Sequence, residues 1–224
     1  VLGVLNKVYS VWQDDGAARE TMLYTTNAVL FYFLTLALCL ALRRAAGWLP
    51  ALGWLAAALL APGIQSGMKD LYWCLWIWLL PVLAGTALCA VTLRRGRTPA
   101  WAYLLVGAAC LVRCMCGFEF VSTFLILAET PLAFCWAAAL AGGQPGRPWF
   151  FRMVRAGLSA LGGVAAALLV WLCQSFAYYG SWGESLANIL GAAGSRISIS
   201  DGAVRQGVTI PGVLAKYFVA DATP

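Results

Sequence analysis

"AWAYLLVGAACLVRCMCGFEFVSTFLILAETPLAFCWAAALA", residues 100–141, carries only three charges, Arg113, Glu119 and Glu129, in an otherwise apolar run. A bilayer core about 30 Å thick is crossed by about 20 helical residues rising 1.5 Å each. The stretch is too long to cross once. It therefore predicts two antiparallel spans, 100–116 and 120–141, with a hairpin tip near Cys116, Gly117 and Phe118.

The same arithmetic extends over the whole chain. Of the 224 residues, 62% are hydrophobic and 11% charged, with a mean hydropathy of +0.80, far from the balance of a soluble domain. Further apolar runs at 22–42, 48–64, 73–93 and 157–178 bring the expected number of spans to about six. The fold class expected is an all-α integral membrane bundle. Residues 1–21 precede it as an outer segment, 22–178 form the spanning region, and 179–224 form an outer loop or tail. Val1 in place of Met, and an end at "YFVADATP" that closes no element, predict a piece of a longer chain.

Charge placement orients the bundle. Arg43 and Arg44, then Arg94, Arg95 and Arg97, then Arg147, Arg152 and Arg155 occupy the loops of one side, with no Asp or Glu among them. By the positive-inside rule that side is cytoplasmic, in a multi-pass inner-membrane protein. All nine acidic residues then fall on the other side or within the membrane. The net charge of +6 sits in short loop runs rather than on one solvated face, which argues against nucleic acid as a partner. Trp and Tyr at the span borders, as in "LYWCLWIWLLP" (71–81), fit an interfacial belt.

The eight cysteines lie almost all in apolar runs and read as small buried hydrophobes rather than a disulfide framework. Histidine is absent, which excludes His-dependent triads and His-ligated zinc within this chain and leaves carboxylates as the natural general bases. No phosphate-binding glycine loop and no nucleophile elbow occurs. Chemistry is therefore sought in four outer places. The acidic pair Asp14 and Asp15 stands just before the first span, where it either caps a helix or serves as a base or a divalent-cation ligand. "SGMKDLYW" (66–73) offers Lys69 to a phosphate, Asp70 to a hydroxyl and Tyr72 to a sugar ring. Arg113 and Glu119 flank the hairpin tip, close enough in sequence to pair at the interface. Arg196, in the Gly-rich tail, suits an anionic head group.

"DDGAARETMLYTTNAVLFYFL" (14–34) and "KDLYWCLWIWLLP" (69–81), with tight basic loops and a long outer tail, resemble bacterial polytopic membrane glycosyltransferases of the GT-C type. The resemblance is one of outline and implies a sugar donor on polyprenyl phosphate held between helices. It also implies a carboxylate of the first outer loop acting as base or metal ligand, which carries over to Asp14 and Asp15 only. The expected function is sugar transfer to a cell-envelope acceptor on the outer face, with membrane lipid and lipid-linked sugar as partners. The alternatives are a transporter or lipid flippase, for which intramembrane Glu129 beside Pro131 is the main signal, and a non-catalytic scaffold. Glu129 is expected to be buried against protein, neutral and structural. Pro131 leaves the Leu127 carbonyl without its usual helical donor, and Glu129 or Thr130 is expected to help satisfy the polar groups at such a kink.

Overall fold

In the computed structural model, residues 2–61, 64, 74–118 and 121–191 are described, and every regular element among them is a helix. α1 (Leu2–Tyr9) ends in a turn, and α2 (Gly16–Ala46) begins where the Asp15 carboxylate accepts the Ala17 N–H at 3.1 Å, satisfying one of the orphan donors of a first turn. α2 is longer than its expected span because nothing stops it at the bilayer edge. It runs on through Arg43 and Arg44 until Gly47, at φ 88°, turns the chain into α3 (Trp48–Leu60). α4 (Leu75–Arg95) and α5 (Ala100–Cys114) follow, then α6 (Val121–Ala141) and α7 (Arg147–Tyr179). A short α8 covers residues 182–191.

Four helices, α2, α4, α6 and α7, are long and apolar enough to cross a membrane. The 13 residues of α3 and 15 of α5 are apolar but shorter. At 1.5 Å per residue they reach only about 20 and 22 Å, so neither matches a hydrocarbon core on its own. Helices α2 and α7 are longer and α3 and α5 shorter than the spans the hydropathy pattern drew, α4 is shifted by two residues from 73–93, and α6 coincides with 120–141 to within a residue.

α4 is the hub, packing on α2, α5 and α6. α2 meets it with a stripe at helical spacing, Leu23, Asn27, Phe31, Thr35 and Leu38, all buried. Small residues set how closely the other helices approach. A Cβ added at Gly85 of α4 would collide with the Ala128 carbonyl of α6, and one at Gly163 of α7 would collide with the Gly107 carbonyl of α5. At that second crossing the Ser159 hydroxyl donates to the Tyr103 carbonyl at 2.6 Å. Such contacts replace the hydrophobic drive that lipid-solvated helices lack. The contacts divide the chain within α7, one unit ending at Ala167 and the other beginning at Leu168.

Arginines gather at the ends of these helices: Arg43 and Arg44 in the last turn of α2, Arg94 and Arg95 in that of α4. There they complement the negative end of the helix dipole. The Arg43 guanidinium lies 4.0 Å from the Trp48 ring centroid and that of Arg152 4.7 Å from Trp149. Both are the contacts of side chains whose stems rest on apolar surface.

Candidate functional site

The N-terminal end of α2 carries the acidic pair. Asp15 is exposed and committed to capping, whereas Asp14 beside it is exposed and makes no hydrogen bond among the described residues. One turn on, Arg19 is half-buried, and its Nε has no hydrogen-bond partner among the described residues. The Tyr24 hydroxyl donates to Glu20 at 2.9 Å, and the Tyr9 hydroxyl of α1 shares a hydrogen bond of 2.5 Å with Thr26. Arg19 was missed in the sequence reading. Its placement one turn after an acidic cap was the available signal.

Three turns below Asp15, about 18 Å along the axis, α2 presents Asn27, which is 1% exposed. Its carboxamide oxygen accepts the Trp76 indole N–H at 2.7 Å, and its nitrogen approaches the Cys74 sulfur at 4.0 Å. This knot joins α2 to the start of α4. Cys74 holds a left-handed backbone, φ 44°, unusual for a residue with a side chain. An Asn in the middle of a buried stripe was the one sequence sign of this polar knot.

Arg113 is 4% exposed. Its Nη1 donates to the Gly117 carbonyl at 3.1 Å, and its guanidinium stands 4.3 Å from the Trp78 centroid and 5.7 Å from that of Phe124. The cation thus sits between α4 and α6, with aromatic faces partly replacing its hydration. The pairing expected with Glu119 involves a residue outside those described. Lys69, Asp70, Tyr72 and Arg196 lie outside them too. Of the candidate residues, then, the structure describes Asp14, Asp15 and Arg113, whose contacts are with different partners: Ala17 for Asp15, and Gly117, Trp78 and Phe124 for Arg113. Among the described residues no three Cys, Asp or Glu side chains converge as metal ligands, so a cation on Asp14 and Asp15 would draw further ligands from elsewhere.

Glu129 lies in α6, and both its carboxyl oxygens are buried without a hydrogen-bond partner among the described residues. Oε1 is 3.5 Å from where a Cβ on Gly157 of α7 would stand, and a groove beside it is lined by Leu125, Ile126, Thr130 and Ala133. Of the two side chains expected to satisfy polar groups beside Pro131, only Thr130 meets a carbonyl, and it is not that of Leu127. Thr130 donates to the Ile126 carbonyl at 2.8 Å, one residue short of Leu127, because a hydroxyl in a helix reaches the carbonyl four residues back. Glu129 donates to none, its oxygens facing the neighbouring helix instead. In comparisons with known proteins, no family profile, no curated protein and no solved structure matches this chain.

Proposed function

We propose that this chain transfers a sugar from a polyprenyl-phosphate-linked donor to a cell-envelope acceptor on the outer face of the cytoplasmic membrane. The observation that carries the reading is the acidic pair: two adjacent exposed carboxylates fixed at the head of a membrane-crossing helix, one engaged as the cap and the other open to a ligand. In this reading α3 and α5 complete a six-span bundle, bordered by thinner or protein-covered hydrocarbon. The arginine-rich ends of α2 and α4 and the start of α7 face the cytoplasm, so the acidic pair faces outward.

Asp14 accepts the proton of the acceptor hydroxyl as that oxygen bonds to the sugar's anomeric carbon and the polyprenyl phosphate leaves. A divalent cation, if Asp14 and Asp15 held one, would acidify the hydroxyl and stabilise the leaving phosphate. Lys69 and Arg196 neutralise the leaving phosphate, while Asp70, Tyr72 and Glu119 contact the sugar or its acceptor. Arg113 borders the donor site.

The test is turnover of the natural full-length protein in proteoliposomes carrying polyprenyl-phosphate sugars and envelope acceptor lipid. Asp14→Asn is expected to lower transfer by about 100-fold or more, the usual weight of a general base, with the amount of folded protein unchanged. Wild-type turnover in both Asp14→Asn and Asp15→Asn would remove the reading. A second reading, a transporter or lipid flippase, is favoured by one observation, the unpartnered carboxyl of Glu129 within the membrane. Under it, Glu129→Gln abolishes transport while the aspartate variants stay active.

A further inference from the structure

We infer that α8 does not project from the membrane as part of a soluble tail but lies flat in the interface of the bilayer that α7 crosses. Its partner there is the lipid surface itself. The inference stands apart from the sugar-transfer reading and needs only that α7 spans.

The chain leaves α7 through Gly180, whose φ of 71° is the left-handed turn expected after a helix end. It enters α8 within two residues. The Trp182 ring then stacks on Phe176, 4.1 Å between centroids and 17° between planes. Phe176 is three residues before Tyr179, about 4.5 Å back along α7. The first turn of α8 is therefore held beside the end of the span, at a depth the span itself occupies. Tyr178, 82% exposed, and Tyr179 stand at the same level as aromatics of an interfacial belt.

The faces of α8 match that position. At 100° per residue, Trp182, Leu186 and Leu190 form one stripe, and they are 55%, 51% and 62% exposed. Ser185 and Ile189 turn to an adjoining face, where Ser185 is fully buried and donates its hydroxyl to the Ser181 carbonyl at 2.6 Å. Glu184 and Asn188 lie about 180° from the Leu186 and Leu190 side and are exposed. A helix in free solution would leave three large apolar side chains in water. One lying in the interface buries them at the acyl boundary while Glu184 and Asn188 stay hydrated. With no Lys or Arg between 182 and 191, the attachment is apolar and indifferent to anionic lipid.

The test uses the natural full-length protein at one copy per nanodisc, made of phosphatidylcholine with a photoreactive diazirine in its acyl chains, and maps lipid adducts by mass spectrometry. Adducts are expected on Leu186 and Leu190 at a yield within about threefold of those on Leu168 and Leu169 of α7, and none on Glu184 or Asn188. The yield is expected to stay the same when phosphatidylglycerol replaces part of the phosphatidylcholine. Adducts on α7 with none on residues 182–191 would overturn the inference, whether the stripe proves to lie in water or under another protein. Equal labelling of both faces would overturn it as well.

Discussion

At position 15 two duties meet, and substitution separates them. Asn accepts a first-turn N–H as well as Asp does, whereas Ala cannot. Asp15→Asn is therefore expected to unfold at the wild-type temperature in detergent, and Asp15→Ala to lose about 1 kcal/mol of stability. If Asp15→Asn keeps its stability but loses sugar transfer, its charge acts in the chemistry. If only Asp15→Ala is impaired, the residue is a cap and Asp14 carries the reaction alone. At Arg113 the decisive property is shape. A planar guanidinium can stack on Trp78 and still donate to Gly117, whereas an ammonium of equal charge cannot do both. Arg113→Lys is expected to lower the thermal midpoint by an amount corresponding to about 1 to 2 kcal/mol. An unchanged midpoint would mean that the stacked geometry contributes nothing.

Among the elements, the α5–α7 crossing offers the sharpest contrast, because two neighbouring glycines have opposite surroundings. Gly163 stands against the Gly107 carbonyl, whereas a Cβ at Gly162 meets nothing within 4 Å. Gly163→Ala is expected to force the helices apart at a cost of about 1 to 3 kcal/mol. Gly162→Ala is expected to be neutral or to stabilise slightly, since it removes only backbone freedom. Thermal unfolding of the two variants side by side checks this, and equal midpoints would contradict the close crossing. The small residues of "GLSALGGVAAALL" (157–169) are plain in the sequence, yet which of its glycines makes the contact is not. That choice depends on the azimuth of α7 against α5, and hydropathy carries no information about it when every face is apolar.

For the molecule as a whole, the helical class and the division of 100–141 into two helices were legible, because so long an apolar run cannot cross a bilayer once. Helix ends were less so. They depend on Asp15 and Gly47 rather than on the membrane edge, which is why α2 overran its span at both ends. The polar interior was the least legible part. Asn27 finds Trp76 and Cys74 from 47 residues or more away in sequence, and Thr130 chooses the Ile126 carbonyl over that of Leu127. Such pairings depend on tertiary placement, whereas the acidic pair before α2 was visible at once because a local turn and a cap need no distant partner.

The functional account depends on one arrangement, the acidic pair outside and the arginine-rich helix ends inside. The direct measurement is labelling of single cysteines at positions 14 and 95 by a membrane-impermeant maleimide, in full-length protein whose eight native cysteines are replaced by Ala or Ser. Position 14 is expected to label in intact cells and position 95 only after the membrane is permeabilised. Labelling of position 95 from outside, with position 14 protected, would contradict the account.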